Sequence, residues 1–469
     1  MPICLVRKCM FSRDHDGPHS HEPAIANDLD DNGSVHVLYD DVSFHVCSSD
    51  IDIGNIPTPS KFDEAVNGPN GKQWKDATNL EHKTLTELGT WKLESRSKIP
   101  KGRVALKSKW VFKVKYNRDG TVERFKARFV VCGYSQVQGR DYTHAFSATL
   151  RSTSFRTLLA IASGHGLQLE HFDVTNAFTQ AELGDADIWV EPAPGYDQPR
   201  DEHGTLVYKL KKALYGTKQA SREWQNTLSK FLEEDLKFER STTDPCVFKH
   251  KSEQHGWIII GIYVDDIIVA HDHKGFDWFK TSFTKRFTSK HLGRLNWFLG
   301  IGVDQHNDYS VSINQKQYIL SVAEKYLKGH TGKTQLHPQS DKFAKLRGAI
   351  NDEERAAARD LPYQNLVGAL LYITVMTRPD CAYHTSMLAK FMSNPTVECY
   401  EMAVILLKYL ANDPNVSIHY SGSRTAPVVT DKLGRNPLRS MSGHIRANGG
   451  FVAYSDASWV TNSLYAQRV

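Results

Sequence analysis

Two apolar, β-branched runs in residues 257–270 flank an adjacent pair of acids. Each run has the length of a strand and is rich in Ile and Val, which predicts a β-hairpin buried on both faces with Asp265 and Asp266 at its tip. Two neighbouring carboxylates with little water around them repel each other, and a divalent cation such as Mg²⁺ compensates that cost. Turn chemistry alone is the alternative interpretation, because Asp is common in turns.

A second strand pattern lies upstream, in residues 167–178. Apolar and polar residues alternate up to Phe172, as in a half-buried strand, and the run reaches Asp173 before a turn of small residues. A third carboxylate from a neighbouring strand would complete a two-metal site for in-line phosphoryl transfer. We therefore expect Asp173 to meet Asp265 and Asp266 in one pocket.

A basic stretch with interleaved aromatic residues occupies residues 101–128, where ten basic residues face two acidic ones. The pattern predicts a strand over 107–116, a turn over 117–120 and a returning strand over 121–131. Basic side chains contact phosphates, and aromatic rings stack on bases in proteins that bind single strands. A solvated hairpin face over an aromatic core is the alternative. The aromatic residues are Trp110, Phe112, Tyr116, Phe125 and Phe129.

Helical periodicity recurs along the chain and dominates after Gln315. The predicted helices cover residues 74–90, 154–164, 276–287, 318–326, 363–374, 387–392 and 397–410, and one more follows the turn at Gly216. Consecutive hairpins with helices between and after them predict an α+β fold. They argue against a phosphoacceptor domain, in which strands and helices alternate around a parallel sheet.

Composition adds general limits. The chain has 469 residues, 40% hydrophobic and 24% charged, which predicts several subdomains of a globular protein. No apolar run approaches the roughly 20 residues that span a bilayer, and no signal-peptide core opens the chain. We expect an intracellular protein without membrane partners, in the cytoplasm or nucleus, whose seven cysteines are thiols. The net charge of +5 is too small to identify a partner.

Residues 1–61 differ from the rest of the chain. They are rich in Asp, His, Ser and Pro without sustained periodicity, which predicts a poorly ordered tail. The tail contains residues of metal-ligand type, but their spacing matches no zinc motif, and local residue bias is the better explanation. These residues are Cys4, Cys9, His15, His19 and His21.

The two acidic motifs together resemble the catalytic motifs of reverse transcriptases. Tyr263-Val264-Asp265-Asp266 matches one of them, and Asp173-Val174 with Ala177-Phe178 matches the other. The surrounding residues are similar to copia-type long-terminal-repeat retrotransposons over roughly residues 62–460. The resemblance implies an RNA-directed DNA polymerase that extends a primer 3′-hydroxyl. Its partners would be an RNA template, a DNA primer or duplex, and dNTPs.

The resemblance also implies a right-hand polymerase architecture with an antiparallel palm sheet. We expect fingers over residues 62–150, a palm over 151–305, a helical thumb and connection over 306–421, and an irregular segment over 422–469.

In such an enzyme two Mg²⁺ ions, with Mn²⁺ as an alternative, would be held by Asp173, Asp265 and Asp266, with Val174 as a further metal contact. Lys126 would contact the triphosphate of the incoming nucleotide.

The resemblance implies that Arg128 also contacts the triphosphate of the incoming nucleotide. Phe178 matches the aromatic steric gate that crowds the ribose 2′ position, and an ordinary buried Phe is the alternative. Gly216, Lys218 and Gln219 match the motif that positions the templating base and the nucleotide. The family usually has Pro where this chain has Ser221, a departure that leaves the backbone role of the motif intact.

Two later segments resemble further parts of the family's site. Lys290 matches a lysine proposed to protonate the pyrophosphate leaving group, and a plain surface lysine is the alternative. The primer grip is a hairpin that holds the 3′ end of the growing strand, and a plain antiparallel pair is the alternative. It would comprise Trp297, Phe298, Leu299 and Gly300.

The C-terminal segment resembles the first strand of the family's ribonuclease H domain, with Asp456 at the position of its first catalytic aspartate. Thirteen residues follow Asp456, whereas that domain needs further carboxylates from later strands. We therefore expect a truncated strand without ribonuclease H activity, in a fragment of a longer polyprotein. An inactive element that only binds nucleic acid is the alternative function.

Overall fold

The computed structural model describes residues 56–116, 121–184, 186–196, 198–328 and 340–421. Residues 1–55 of the predicted N-terminal tail, the turn over 117–120 and the ribonuclease H-like strand with Asp456 lie outside these residues. Within them the chain combines helices with antiparallel sheets, as the sequence predicts.

The strands are short and mostly consecutive. They are β1 Trp91–Glu94, β2 Ser108–Tyr116, β3 Val122–Val131, β4 Gln168–Val174, β5 Trp189–Val190, β6 Arg200–Asp201, β7 Gly204–Thr205, β8 Val207–Leu210, β9 Glu239–Arg240, β10 Val247–Ser252, β11 Gly256–Tyr263, β12 Asp266–His271, β13 Ser289–Arg294, β14 Trp297–Phe298, β15 Ile301–Gln305, β16 Val311–Asn314 and β17 Ile418–Tyr420.

Most helices fall close to the predicted ranges, but the helix predicted over 387–392 begins five residues earlier, and α1, α7 and α8 are additional. They are α1 Phe62–Asn67, α2 Gly71–Glu87, α3 Ser152–His165, α4 Ala220–Lys230, α5 Phe276–Arg286, α6 Lys316–Leu327, α7 Ser340–Phe343, α8 Asp352–Ala358, α9 Tyr363–Met376, α10 Ala382–Ala389 and α11 Val397–Asn412. Among the described residues, no helix combines the length and the apolar composition that crossing a membrane requires.

A six-stranded antiparallel sheet forms the centre of the molecule, in the order β13-β4-β12-β11-β10-β9. The predicted hairpin of two buried runs is its β11–β12 pair. On one face of the sheet, Phe172 packs against Phe279 and Phe283 of α5. On the other face, α3 lies behind β11, where a Cβ at Gly261 would lie 3.2 Å from Leu158. Helices thus cover both faces of the sheet, and Asp173, Asp265 and Asp266 lie together at one end of its strands.

The prediction that β4 is half-buried is wrong. The strand lies between β13 and β12, and Glu170 and His171 are buried along with the apolar residues. Glu170 Oε2 lies within hydrogen-bond distance of His291 Nε2, at 2.8 Å, and this contact compensates the loss of hydration. Alternating polar and apolar residues predict a strand with one solvent-exposed face. Here the polar residues are buried because they have partners on adjacent strands, which the sequence does not show.

The β2–β3 hairpin separates its charges from its rings. Trp110, Phe112 and Phe129 are buried, and Phe125 packs against Trp74 of α2 with 4.6 Å between ring centroids. The expectation that these aromatics stack on bases is therefore wrong for them, and the alternative of an aromatic core holds. The side chain of Tyr116 lies outside the described residues.

A second, four-stranded sheet in the order β14-β15-β16-β17 connects the central sheet to the C-terminal helices. Strand β17, which the sequence did not predict, pairs with β16 and brings residue 420 back to α3, where Ser163 Oγ donates to the Tyr420 carbonyl at 2.9 Å. Helices α6, α9, α10 and α11 pack together through apolar side chains.

Candidate active site

Three strands place a row of charged side chains at the end of the central sheet where the β11–β12 turn lies. Asp173 of β4 lies directly opposite Asp266 of β12 on one side and Lys290 of β13 on the other. Tyr263 of β11 is opposite Asp266 and ends the row. Directly opposed residues share a face, with Cβ atoms about 4.5–5.5 Å apart. Two of the predicted carboxylates and the predicted lysine are thus neighbours.

Asp265 lies in the two-residue turn that joins β11 to β12. Val264, the other turn residue, has φ +55, a conformation that a β-branched side chain rarely adopts. Two hydrogen bonds hold the turn: the Trp224 indole N–H donates to the Val264 carbonyl at 2.7 Å, and the Val174 N–H donates to the Asp265 carbonyl at 2.9 Å. A strained turn persists only when its surroundings determine it, so these contacts fix where Asp265 projects.

A histidine that the sequence did not single out contacts the acidic row. His171 lies two residues before Asp173 on β4, so both side chains are on the same face. Its Nε2 is 3.0 Å from Asp266 Oδ1. This contact fixes one oxygen of Asp266, and no sequence signal marks it because the partners are 95 residues apart.

Burial and mutual repulsion act on the carboxylates. The pKa of Asp265 is raised to about 6 by burial and by the charge of Asp266. Burial also raises the pKa of Asp173, and Asp266 adds to the rise while Lys290 opposes it. Carboxylates that are costly to ionise together attract a cation that neutralises them.

The acids of the row offer only part of a ligand set for a divalent metal ion. Among the described residues, no three His, Cys, Asp or Glu side chains are grouped closely enough to hold a metal by themselves. Mg²⁺ is usually held by one or two carboxylates plus substrate phosphates, rather than by a complete protein cage. The pair Asp173 and Asp266, with Asp265 beside it, offers such a partial set.

The charged face of the β2–β3 hairpin is directed toward these acids. Lys113 lies opposite Lys126, and Val111 lies opposite Arg128, so both predicted phosphate contacts share one face. Burial raises the pKa of both acids, and the charge of Lys126 offsets part of the rise at Asp173 while that of Arg128 offsets part of the rise at Asp265. Burial and the neighbouring cations, Arg128 first, lower the pKa of Lys126 to about 8.

Phe178 and Tyr215 form an aromatic contact beside the acidic row. Phe178 is nearly buried, and its ring meets that of Tyr215 edge-on at 5.1 Å. The Arg128 guanidinium lies 5.5 Å from the centre of the same Tyr215 ring. Tyr215 was not predicted as a site residue. It links the predicted gate, Phe178, to the predicted phosphate contact, Arg128.

The glycine turn after β8 lies against the end of β3. Gly216 has φ +88, and a Cβ there would lie 2.0 Å from the Val131 carbonyl oxygen, so only glycine fits. Lys218 donates its backbone N–H to Gln136 Oε1 at 2.7 Å. The side chain of Gln219, which the resemblance assigns to positioning the templating base and the nucleotide, is instead used within the fold. Gln219 is buried, accepts from Gln136 at 3.1 Å, and donates to the Asp141 carbonyl at 3.3 Å.

The predicted primer-grip residues do form a hairpin, between β14 and β15. Leu299 and Gly300 are its turn, with φ +50 and +81, and Trp297 pairs with Gly302. The buried Phe298 ring lies 6.4 Å from that of Tyr263, so the hairpin adjoins the acidic row. An antiparallel pair and a primer grip have this same geometry.

A known protein family matches the part of the chain that contains the acidic row. Residues 89–336, more than half of the chain, match the family described as reverse transcriptase (RNA-dependent DNA polymerase). The chain belongs to this family.

Its relatives are transposon proteins. It is 32% identical over 378 residues to the Retrovirus-related Pol polyprotein from transposon TNT 1-94 of Nicotiana tabacum, covering 78% of this chain and 27% of that protein. It is 32% identical over 372 residues to the polyprotein from transposon RE1 of Arabidopsis thaliana, covering 77% and 24%. It is 28% identical over 298 residues to the Putative transposon Ty5-1 protein of Saccharomyces cerevisiae, covering 62% and 92%.

The chain therefore spans about a quarter of the length of the two plant Pol polyproteins. Its similarity is to the Pol polyproteins of copia-type retrotransposons, as the motifs suggested.

Proposed function

We propose that this chain is an RNA-directed DNA polymerase that extends a DNA primer on an RNA template with dNTPs. The observation that carries the proposal is the register that sets Asp173 opposite Asp266, with Asp265 in the adjoining turn. The family membership supports the same conclusion.

Asp173, Asp265 and Asp266, with Val174 beside them, are the residues that would hold Mg²⁺. When bound, two such ions would lower the pKa of the primer 3′-hydroxyl and neutralise charge on the triphosphate and the departing pyrophosphate. His171 holds one oxygen of Asp266, which leaves the other oxygen to face the substrate.

The remaining residues position the nucleotide. Lys126 and Arg128 would contact the triphosphate from the hairpin, since positioning and charge supply most of the catalysis of phosphoryl transfer. Phe178, held edge-on by Tyr215, would limit space at the ribose 2′ position. Lys290 lies opposite Asp173 and would supply a proton to the pyrophosphate.

Flanking elements would hold the nucleic acid. The turn at Gly216 and Lys218 would support the templating base through its backbone, and the hairpin at residues 297–300 would hold the primer end. In this arrangement the β2–β3 region acts as fingers, the central sheet as palm and the C-terminal helices as thumb.

The test is primer extension on poly(rA) with an oligo(dT) primer, dTTP and Mg²⁺, using the full chain. Asp265→Asn should lower the extension rate by at least about 100-fold while template–primer affinity and thermal stability stay the same. Asp304→Asn, an exposed aspartate on β15, is the matched control and should extend normally.

Equal extension rates for Asp265→Asn and the unchanged chain would refute the assignment. Binding of template–primer without any extension by the unchanged chain would instead favour the inactive, nucleic-acid-binding alternative.

A further inference from the structure

The loop that joins β3 to α3, residues 133–147, has polar side chains inside and large apolar ones outside. Gln136 and Asp141 are each 7% exposed, whereas Tyr134 is 71% exposed and Phe146 is 48% exposed. A single exposed ring is common on a protein surface. A loop that buries its amide and its acid while it exposes its rings reverses the usual distribution, and this reversal needs a cause.

The buried polar side chains attach the loop to the glycine turn after β8. Gln136 Oε1 accepts the Lys218 backbone N–H at 2.7 Å, and the Gln136 amide donates to Gln219 Oε1 at 3.1 Å. At the other end of the loop, Ser147 Oγ donates to the Ser221 carbonyl at 3.2 Å. The loop therefore lies along the turn up to the start of α4, and these contacts explain why its polar side chains are buried.

The same contacts place the two exposed rings near the two ends of the turn. Tyr134 follows Gly133, where an added Cβ would lie 1.9 Å from the Gly216 carbonyl oxygen. Phe146 precedes Ser147, which contacts the first turn of α4. Both rings are thus attached to a rigid backbone contact and remain open to solvent. Exposed apolar groups of this kind mark interaction surfaces.

The charges of the loop favour an anionic partner. Asp141 is the only acid in residues 133–147, and its carboxylate pairs with Arg140 at 2.9 Å and with Arg103 at 3.4 Å. Within this loop, all of which the structure describes, no acid is left unpaired to repel a phosphate. Bases stack on exposed aromatic rings in proteins that bind single strands, and phosphates are bound where positive charge prevails.

We propose that Tyr134 and Phe146 form a stacking surface for the unpaired template strand beside the turn at Gly216. Val137, which is 49% exposed, lies between them in the chain and extends this surface. That the strand is the template rests on the proposed function above. The preference for single-stranded nucleic acid does not, because stacking precedes any chemistry.

The experiment measures binding without metal ions or dNTPs. Fluorescence anisotropy compares a blunt RNA–DNA duplex with the same duplex carrying a 5′ RNA overhang of about six nucleotides, within the range that single-strand binding folds occupy. The unchanged chain should bind the overhang substrate more tightly. Tyr134→Ala and Phe146→Ala should each weaken that binding at least about fivefold and leave the affinity for the blunt duplex unchanged.

Three controls separate stacking from other effects. Tyr134→Trp keeps an aromatic ring and should retain the affinity for the overhang. Leu80→Ala removes an apolar side chain of α2 that is 68% exposed, and it should change neither affinity. In Tyr134→Ala, the slope of log affinity against log salt concentration should stay the same, because a stacking ring neutralises no phosphate.

Two results would overturn the proposal. One is an unchanged affinity for the overhang in the double variant of Tyr134→Ala and Phe146→Ala, including the case in which sedimentation equilibrium shows that the variant has lost a self-association, since the rings would then face a second copy of the chain. The other is an equal loss of affinity for both substrates, which a structural role alone would produce.

The two proposals can fail separately. If binding of the overhang depends on both rings in a chain that does not extend a primer, the stacking surface is retained and the proposed function is rejected.

Discussion

His271 is a buried residue with a hydrogen-bond partner for only one of its two ring nitrogens among the described residues. The residue is 2% exposed. Its Nδ1 accepts a hydrogen bond from the His273 N–H at 3.0 Å, while Nε2 is buried without a partner among the described residues. Burial lowers the pKa of His271 to about 4, His273 and His291 add to the lowering, and Asp272 opposes it. The folded ring therefore stays neutral where the unfolded ring takes up a proton.

We expect the free energy of unfolding to fall as pH drops from about 6.5 toward 4, because the unfolded state binds a proton that folded His271 does not. The contribution is at most about 1.4 kcal/mol per pH unit. Urea unfolding at pH 7, 6 and 5 measures it. His271→Phe should flatten the dependence in this interval, and the exposed His203→Phe should not. Parallel curves for all three chains would contradict the expectation.

At the scale of elements, the glycine turn and the end of β3 approach each other backbone to backbone. The Val131 N–H donates to the Tyr215 carbonyl at 2.8 Å, and a Cβ at Gly133 would lie 1.9 Å from the Gly216 carbonyl oxygen. Side chains cannot enter this contact, so it couples the charged hairpin rigidly to the turn beside the acidic row.

Gly216→Ala tests this contact. Gly139 provides the control, since it has φ +80 but no atom within 4 Å of an added Cβ. Gly139→Ala should cost about 1–2 kcal/mol of stability for the left-handed backbone alone. Gly216→Ala should cost about 1–3 kcal/mol more because the methyl group also overlaps the Val131 carbonyl. Thermal unfolding measures both, and equal losses would show that the close approach is not present.

At the scale of the whole molecule, helix α9 makes hydrogen bonds to the β14–β15 turn of the second sheet and to helix α3. The Tyr372 hydroxyl of α9 donates to the Leu299 carbonyl in the β14–β15 turn. The Arg156 guanidinium of α3 donates to the Val375 carbonyl at 3.0 Å. The hairpin at residues 297–300 is thus held between the helices and the acidic row, and its position depends on how the helices dock.

Tyr372→Phe removes the hydroxyl that donates to the Leu299 carbonyl, so this carbonyl loses its hydrogen-bond donor. We expect a loss of about 1–3 kcal/mol in the free energy of unfolding. In primer extension, the products should become shorter while KM for dTTP stays the same, because the variant acts on the primer side. Tyr383→Phe on α10, where the ring is 36% exposed, is the control and should be neutral. If Tyr372→Phe changes neither product length nor stability, the contact between α9 and the β14–β15 turn does not position the hairpin.

The pattern of the chain determined the kind of each main element. Periodicity predicted the buried β11–β12 hairpin with its two acids, the strand that carries Asp173 and most helices. Buried apolar side chains recur every 2 residues in a strand and about every 3.6 residues in a helix. The acidic motifs also identified the family, which the comparisons confirmed. The proposed roles of the individual site residues stay predictions.

What the sequence could not determine are contacts between residues far apart in the chain. The register that sets Asp173 opposite Asp266 and Lys290, the inward turn of Gln219 and the burial of the hairpin aromatics all depend on how elements dock. Local propensity selects the elements, whereas packing and charge between them decide which side chains share a pocket.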